Sequence, residues 1–363
     1  MESFAFILHP IKHSDILRKF PFFKYCPEKF LKEVFRRFPP FKVSQIEGVE
    51  SPYNRAGGWF VACPLSSDQM LNLPRHYVLN KIIQAGSKAE SLGAKVVGLG
   101  ALAAVVGDAG ITVSQNLNIP VTTGNSYTVA TAYQGAREAA NKLGLELADS
   151  RVSVLGATGS IGKVIAKKAA RETEAITLMG RNLDKLESIA QQIYQDNKVT
   201  PRVTNDIEQG VEDADVVFAV SGSDEALIRG DELKPGAVVC DVARPRDVSY
   251  KVAKNREDVL VIEGGVVEVP GNVEFNFNFG FPPKMAYACM AETMILALEQ
   301  RYESYTLGRE LTLSQVDEID KLAEKHGFKL AGLRSFEKPL SEDKIKKVKE
   351  KTRDQKKYAL RMG

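Results

Sequence analysis

The sequence predicts an α/β protein whose main domain is a doubly wound parallel sheet of the Rossmann type, with an α/β N-terminal domain and a helical C-terminal region. Strand and helix patterns alternate from residue 150 to residue 268, a glycine-rich turn follows the first of these strands, and another strand follows the next helix. The predicted segments are an N-terminal domain over 1–145, the doubly wound domain over 146–270, a helical region over 271–335 and a basic tail over 336–363.

Composition and charge indicate an ordinary globular protein with a basic end. The 363 residues are 44% hydrophobic and 26% charged, close to the average of globular domains. Residues 336–363 hold ten Lys and Arg against five Asp and Glu, within a chain whose net charge is +3. Such a tail is a solvated or marginally helical end, or a contact surface for an acidic partner or an anionic membrane. We expect no nucleic-acid partner.

Cysteine usage and the N-terminus bear on the compartment. The four cysteines lack C-x-x-C spacing and the four histidines are dispersed, so we predict no metal site and reduced thiols in a cytoplasm. The first residues contain an apolar run too short for a signal peptide, and no span approaches twenty apolar residues. We therefore expect a cytoplasmic protein with, at most, peripheral membrane contact.

The N-terminal domain begins with an aromatic and basic stretch. Residues 1–60 favour short helices and turns, whose aromatic side chains face lipid, face a partner or pack over a domain edge. Residues 66–93 show helical spacing that ends at Gly93, and the run over 95–105 is typical of a buried parallel strand. A strand end, a polar turn and a long helix that stops at Gly144 complete this domain.

The middle region supplies the strands of the doubly wound sheet. Each is a short apolar run followed by a helical pattern. The predicted strands are Val152–Leu155, Ile176–Met179, Val216–Val220, Val238–Asp241 and Leu260–Ile262. Beyond Pro283 the spacing is helical again in two stretches, which we expect to pack back on the sheet.

The turn after the first of these strands predicts a bound dinucleotide. In RVSVLGATGSIGKVIAKKA, the first glycine permits a tight turn, the second permits close approach of a pyrophosphate, and the helix start offers free N–H groups to that anion. The spacing G-x-x-G-x-x-G is a variant of the usual fingerprint. The predicted cofactor-binding residues of this turn are Gly156, Thr158, Gly159, Ser160, Ile161 and Gly162. A glycine-rich turn without a ligand is the alternative, disfavoured because strand, helix and second strand all fall in place.

The end of the second strand indicates NADPH rather than NADH. An NAD enzyme carries Asp or Glu there for the ribose diol, whereas this chain has Arg181, which can stack on adenine and hold the additional phosphate of NADP. Lys185, one turn later, adds positive charge. Ser221 and Gly222, after a later strand, are expected to line the nicotinamide side.

Two further places have side chains suited to catalysis. Cys289 lies near the start of a helix that follows two prolines, where the helix end and nearby Lys284 favour a nucleophilic thiolate, although core packing also explains a cysteine there. In the polar turn over residues 122–128, the hydroxyls of Thr123 and Ser126 are candidates for polarising a substrate carbonyl, and capping of the next helix is the alternative.

These motifs together resemble the long-chain acyl-(acyl-carrier-protein) reductases, from about Leu65 to Leu330. The segments that carry the resemblance are VTTGNSYT (121–128), VLGATGSIG (154–162), LMGRNLDKL (178–186), EGGVVE (263–268) and MAYACMAE (285–292). YTLGRELTLSQVDEI and KHGFKLAGL extend it toward the C-terminus. The first 60 residues and the basic tail depart from the pattern.

The resemblance implies an NADPH-dependent reduction of a fatty acyl thioester to a fatty aldehyde through an acyl-enzyme. The nucleophilic cysteine of that family falls on Cys289, and the substrate carrier is acyl carrier protein or coenzyme A. The aromatic N-terminal segment is then expected to help form the acyl tunnel. The alternatives are an NADP-dependent dehydrogenase of the shikimate or glutamyl-tRNA reductase type and a cofactor-binding regulator with an inactive site. A shikimate-type enzyme needs a Lys and Asp pair that the sequence does not reveal.

Overall fold

The computed structural model describes residues 1–10, 15–17, 20–223, 225–243 and 246–362, which form two compact units. Unit 1 consists of Met1–Tyr127 and Val267–Lys329, and unit 2 consists of Thr128–Val266 and the chain from Leu330 onward. This division differs from the predicted one, in which residues 271–335 form a region of their own. Most of that region belongs to unit 1. Its strand Gly271–Glu274 completes the sheet of the N-terminal part, and its helix Ala288–Leu298 completes the core there.

The elements are numbered in chain order. The strands are β1 (Glu2–Leu8), β2 (Phe41–Glu50), β3 (Arg55–Ala62), β4 (Val97–Leu99), β5 (Val121–Thr122), β6 (Val152–Leu155), β7 (Ile176–Met179), β8 (Arg202–Thr204), β9 (Val216–Ala219), β10 (Val238–Asp241), β11 (Leu260–Glu263), β12 (Val266–Glu268), β13 (Gly271–Glu274), β14 (Met285–Tyr287), β15 (Lys329–Leu330), β16 (Arg334–Ser335) and β17 (Lys338–Pro339). The helices are α1 (Glu28–Arg37), α2 (Ser67–Asn72), α3 (Arg75–Ser91), α4 (Val106–Ala109), α5 (Ile111–Gln115), α6 (Asn125–Leu143), α7 (Ser160–Ala169), α8 (Leu183–Asn197), α9 (Ile207–Val211), α10 (Tyr250–Asn255), α11 (Ala288–Leu298), α12 (Leu313–His326) and α13 (Glu342–Met362).

Unit 1 is built on a mixed sheet with the strand order β13-β2-β3-β1-β4-β5. Strands β3, β1, β4 and β5 run parallel, while β2 and β13 run antiparallel at one edge. The prediction of only short helices and turns over residues 1–60 is therefore wrong, since β1, β2 and β3 lie there. Helices cover both faces of β1, so its side chains from Phe4 to Ile7 are all buried and show no alternating pattern that would mark a strand.

The helical prediction over residues 66–93 is confirmed with one break. Ser66 caps α2 through a reciprocal capping box with Gln69, and Pro74 separates α2 from α3. The chain leaves α3 through Gly93, whose φ of 90° suits glycine. The following strand is shorter than its apolar run, because β4 ends at Leu99 and a 3-10 turn follows.

Unit 2 contains a parallel sheet with the strand order β11-β10-β9-β6-β7-β8. Numbered from β6, this is the doubly wound order of dinucleotide-binding domains, so the predicted fold class is confirmed. The five predicted strands match β6, β7, β9, β10 and β11 to within one residue. The edge strand β8, with only three residues and a charged end at Arg202, was not predicted because it lacks an apolar run.

The basic tail is a helix that contributes to the core of unit 2. Ile345 and Val348, one turn apart on α13, are 5% and 0% exposed. Charged residues occupy the other face of this helix. Lys346, which lies between the two in the sequence, is 75% exposed. From Glu342 the tail therefore begins a packed amphipathic helix and is not a solvated end there. Among the described residues, no helix combines the length and hydropathy needed to cross a bilayer.

Replacing Val348 with Ala tests this packing. The substitution removes two buried carbon atoms and leaves a cavity, so we expect the free energy of unfolding to fall by about 2 kcal/mol. Lys346→Ala on the same helix is the control and should change it by less than about 0.5 kcal/mol. Chemical denaturation measures both, and equal effects would contradict the packing of α13.

Candidate functional site

The first candidate site lies in unit 1 and is centred on Cys289. The chain passes Pro282 and Pro283, forms β14 and enters α11, whose N-cap Tyr287 is extended and provides no side-chain cap. Cys289 is the second residue of α11 and is partly exposed. The N–H groups and the positive end of the dipole in the first turn favour a thiolate there. Lys284 directs its Nζ to Oδ1 of Asn272, 3.2 Å away.

One turn further along α11, Glu292 is completely buried and accepts hydrogen bonds from several directions. Its Oε2 accepts from the hydroxyl of Ser126 at 2.6 Å and from the backbone N–H of Tyr127 at 2.9 Å. Its Oε1 accepts from the hydroxyls of Thr122 and, at 3.0 Å, Thr306. The carboxylate therefore binds the polar turn after β5 to the helix that carries the cysteine.

The structure does not support the predicted catalytic roles of Ser126 and Thr123. Both side chains are buried, with exposures of 0% and 1%. The hydroxyl of Ser126 donates to Glu292, and that of Thr123 donates to the carbonyl of Thr306 at 2.6 Å. These hydroxyls are used inside the protein, so their role is to fix the turn. Capping of α6, the alternative role for these hydroxyls, does not describe Ser126 either. Its hydroxyl donates to the carboxylate of Glu292, which belongs to α11.

Gly124 brings the turn into direct contact with Cys289. Its φ is 75°, and a Cβ at this position would lie 2.3 Å from both Cα and Cβ of Cys289. Only glycine therefore allows the two segments to approach this closely. One turn further along α11 the packing is as tight, since a Cβ at Gly98 in β4 would lie 2.0 Å from Oγ1 of Thr293. The position of Cys289 is therefore fixed by contact with the turn and by the packing of its own helix.

The other thiols lie in different surroundings. Cys240 is buried in β10, with its Sγ 3.5 Å from the carbonyl oxygen of Ala132. Cys63 is also buried, and burial raises the pKa of its thiol to about 12. Cys26 is half-buried at the end of a 3-10 turn. Cys289 thus combines partial exposure with a helix N-terminus, which the others do not.

The second candidate site is the glycine turn of unit 2, and its geometry fits a dinucleotide. Gly156 has φ of 83°, and a Cβ there would lie 2.7 Å from the carbonyl oxygen of Val220. A Cβ at Gly162 would lie 2.4 Å from the carbonyl oxygen of Gly156, so α7 packs directly on the turn. Gly159 is the N-cap of α7 and is exposed, which leaves the helix N-terminus open to an anion.

The other residues that the sequence predicts to bind the cofactor lie on or near this turn. Thr158 is exposed, Ile161 is partly exposed, and Ser160 begins α7. Arg181 and Lys185 are both exposed and lie on either side of the start of α8. The side chain of Asn182 caps this helix by accepting a hydrogen bond from the backbone N–H of Lys185. Two cationic side chains therefore stand at the end of β7, where a ribose or its phosphate binds in this fold.

Ser221 and Gly222 follow β9 and are held by a carboxylate that the sequence did not reveal. The backbone N–H of Ser221 donates to Oδ2 of Asp247 at 2.7 Å, and its hydroxyl donates to Oδ1. Asp247 is fully buried, and burial raises the pKa of its carboxyl above the ordinary value despite these bonds. Gly222 is exposed, and a Cβ there would meet open space.

Comparison with known proteins places this geometry in a wider class. Residues 137–263 match the sequence profile described as Shikimate / quinate 5-dehydrogenase. The chain is 31% identical over 293 residues to the aminotransferase PigE of Serratia sp. (strain ATCC 39006), covering 79% of this chain and 34% of PigE. It is 23% identical over 329 residues to the long-chain acyl-[acyl-carrier-protein] reductase of Synechococcus elongatus, covering 86% of this chain and 94% of that enzyme. It is 32% identical over 107 residues to the glutamyl-tRNA reductase of Streptococcus sanguinis, covering 29% of this chain and 24% of that enzyme.

The class is that of proteins with a Rossmann-type domain that binds a nicotinamide dinucleotide. The fold of unit 2, its glycine turn and the matched profile agree on this, and NADP(H) as the cofactor is confirmed at the level of the class. The chain spans about a third of the length of PigE, and its relationship to the acyl reductase is distant. The particular reaction therefore belongs to the proposal below.

Alkylation of the native protein tests the ranking of the thiols. At neutral pH we expect iodoacetamide to modify Cys289 first, because its thiolate is favoured and its side chain is partly exposed. Cys63 and Cys240 should stay unmodified until the protein is denatured, because they are buried and the pKa of Cys63 is raised. Peptide mass spectrometry over time measures this order. Faster modification of Cys63 than of Cys289 would contradict the described site.

Replacing Glu292 tests the hydrogen-bond network. Glu292→Ala leaves four donors without their acceptor, and we expect the free energy of unfolding to fall by about 3 kcal/mol or more. Glu292→Gln should cost only about 1 kcal/mol, since its oxygen can serve Tyr127 while the hydroxyls of Thr122 and Thr306 turn to accept from its NH₂ group. Exposed Glu324→Ala is the control. Denaturation curves that rank the glutamine variant as the worse of the two would refute this account.

Proposed function

We propose that the protein reduces a long-chain fatty acyl thioester to a fatty aldehyde with NADPH, through an acyl group held on Cys289. The thioester is carried by acyl carrier protein or by coenzyme A. The observation that carries the proposal is the position of Cys289, partly exposed at the N-terminus of α11 and in contact with a glycine of the turn that Glu292 holds in place. The distant relationship to an acyl reductase over 86% of the chain supports the same reaction.

Cys289 performs the group transfer in this proposal. Its Sγ attacks the thioester carbonyl carbon, the new carbon–sulfur bond replaces the bond to the carrier, and the carrier leaves as a thiolate that takes a proton from water. One thioester is exchanged for another, so this step requires little free energy. When NADPH is bound, it supplies the hydride that converts the acyl group into an aldehyde. Release of the aldehyde breaks the bond to Cys289 and regenerates its thiolate.

The rigid surroundings of Cys289 serve this chemistry. A nucleophile must approach a carbonyl carbon from a narrow range of directions, and packing of α11 against Gly124 and, one turn further along, against Gly98 of β4 keeps the sulfur in one place. The positive end of α11 also lies where negative charge develops on the carbonyl oxygen during attack. Both contributions come from backbone, in keeping with the structural roles of Thr123 and Ser126.

A row of aromatic side chains supports a hydrophobic substrate. Phe60 and Phe279 lie 5.4 Å apart by ring centroids, Phe279 and Phe281 lie 5.9 Å apart, and Phe281 and Tyr287 lie 4.6 Å apart. The row thus ends two residues before Cys289, and its later members are partly exposed. An acyl chain attached to the cysteine has an apolar surface to follow. This row replaces the N-terminal aromatic segment as the proposed acyl path.

On the cofactor side, we propose that Gly156, Gly159 and the start of α7 hold the pyrophosphate. Arg181 and Lys185 hold the phosphate that distinguishes NADPH from NADH, and Thr158, Ser160, Ile161 and Gly162 complete the turn. On the nicotinamide side, Gly222 leaves room for the ring, and Ser221 is fixed by Asp247. The profile match to Shikimate / quinate 5-dehydrogenase favours a second candidate, a dehydrogenase of that type, but it is limited to residues 137–263 and does not reach the cysteine.

Incubation with palmitoyl coenzyme A tests the reaction. Without NADPH we expect a palmitoyl group on Cys289, detected by peptide mass spectrometry, and with NADPH we expect palmitaldehyde. Cys289→Ala should lose both adduct and aldehyde, whereas Cys26→Ala, which removes the other half-buried thiol, should retain both. Aldehyde production by the Cys289→Ala protein would exclude the proposed mechanism.

Cofactor discrimination tests the arginine. Because Arg181 loses a charged contact with phosphate on replacement by Ala, we expect the Kd for NADPH to rise by about tenfold or more, and Lys185→Ala to have a smaller effect in the same direction. Binding of NADH should hardly change. Arg202→Ala, an exposed cation on β8, is the control. Equal loss of both cofactors, measured by fluorescence titration, would contradict the assignment.

A further inference from the structure

Unit 1 has an exposed aromatic patch that the proposed reaction does not use. The patch consists of Phe22, Tyr25, Phe30 and Phe38, whose side chains are 71%, 91%, 59% and 50% exposed. Large exposed hydrophobic side chains elsewhere among the described residues are dispersed along the chain. Four within 17 residues is unusual, because contiguous apolar surface is costly unless something covers it.

The patch is held by an inner cluster of rings. Phe20, Phe23 and Phe35 pack against each other with centroid separations of 5.5 to 6.2 Å. Phe22 lies against Phe23 in a tilted arrangement with ring centroids 4.4 Å apart, and Phe38 stacks on Phe35 at 5.7 Å. Phe22 and Phe38 are therefore supported by packed rings, and their projection is a property of the fold.

Helix α1 shows the same surplus of apolar surface. Leu31 and Phe35, one turn apart, are buried and face the inner cluster. Phe30 and Val34, also one turn apart, lie beside them and, with Phe38, line a shallow groove next to Arg37. The apolar arc of α1 is thus wider than the core that it covers, and Phe30 and Val34 form its uncovered part.

The same segment is strongly basic. Residues 20–42 contain six Lys and Arg and two Glu, a net charge of +4 within a chain whose total is +3. Lys24 and Lys29 are exposed and flank Tyr25 and Phe30 in the sequence. Aromatic rings interleaved with cations are the composition of protein segments that lie in the interface of an anionic membrane, where rings enter the headgroup region and cations contact lipid phosphates.

We propose that this patch docks the protein on the surface of a bilayer that contains anionic lipids. The net positive charge of residues 20–42 favours a negatively charged surface. Side chains as exposed as Tyr25 need no matching pocket in a bilayer, because its headgroup region can accommodate a projecting ring. The proposal does not depend on the reaction of Cys289, because the patch and its test involve binding only.

Sedimentation with lipid vesicles tests the proposal. The full chain should bind vesicles of phosphatidylcholine mixed with phosphatidylglycerol, bind vesicles of phosphatidylcholine alone at least about tenfold more weakly, and be released by salt. The combined substitution Phe22→Ser, Tyr25→Ser and Phe30→Ser should weaken binding by at least about tenfold. A charge variant, Lys24→Gln with Lys29→Gln, should also weaken binding and does not alter the rings.

A control variant replaces three exposed apolar side chains elsewhere. The substitutions Leu71→Ser, Val105→Ser and Tyr194→Ser, at positions 51%, 63% and 50% exposed, should leave vesicle binding unchanged. The proposal is overturned if the full chain does not bind anionic vesicles, or if the patch variant binds as tightly as the parent. It is equally overturned if the patch mediates a dimer or captures purified acyl carrier protein without any binding to vesicles.

A second measurement reports the patch directly. Tryptophan introduced as Phe30→Trp should show a blue shift of its emission when anionic vesicles are added, because the ring enters a less polar environment. The variant Tyr194→Trp should show no shift. A shift at position 194 and none at position 30 would place membrane contact on another surface and overturn the proposal.

Discussion

The buried carboxylate of Glu292 is the constraint on which the geometry of unit 1 depends. Removing a carboxylate from water costs several kcal/mol, and hydrogen bonds to a charged group return about 1.5 to 3 kcal/mol each. Four donors, three of them hydroxyls and one the N–H of Tyr127, are therefore needed to make this burial acceptable. These donors come from two separate segments. The carboxylate thus fixes the turn after β5 and the segment of Thr306 on α11, and through Gly124 it fixes Cys289.

An element of this fold could be predicted when its pattern lies within one stretch of the sequence, and could not when it depends on pairing with a distant segment. Five of the six strands in the parallel sheet of unit 2 were found almost to the residue, because each is an apolar run next to its own helix and the glycine turn marks where the series begins. Strand β1 was missed because its pairing partners, β3 and β4, lie more than 50 and 90 residues away. The membership of residues 267–329 in unit 1 depends on pairing of β13 with β2, which no local pattern reveals.

The residues of the candidate sites likewise divide into those that the sequence revealed and those that it did not. Cys289 and Arg181 could be named from residue type and position within a motif, since their chemistry is visible in the sequence. The roles of Ser126 and Thr123 could not, because a hydroxyl that faces a ligand and one that faces a buried carboxylate look alike in a sequence. Glu292 itself gave one usable signal: it is the only charged residue in the apolar helix ACMAETMILAL. A lone carboxylate in such a helix indicates a buried partner network.

The interleaved connectivity of the two units has a consequence for synthesis on the ribosome. Strands β1 to β5 emerge first, but their sheet lacks β13 and their core lacks α11 until residues 267–329 have been made. All six strands of the second sheet are translated in between. The nascent first sheet must therefore remain incomplete, with apolar surface uncovered, while the second forms. We expect mutations in β1 to reduce the yield of folded protein more strongly than their effect on the finished molecule, since β1 packs against α11, which is made only after the second sheet.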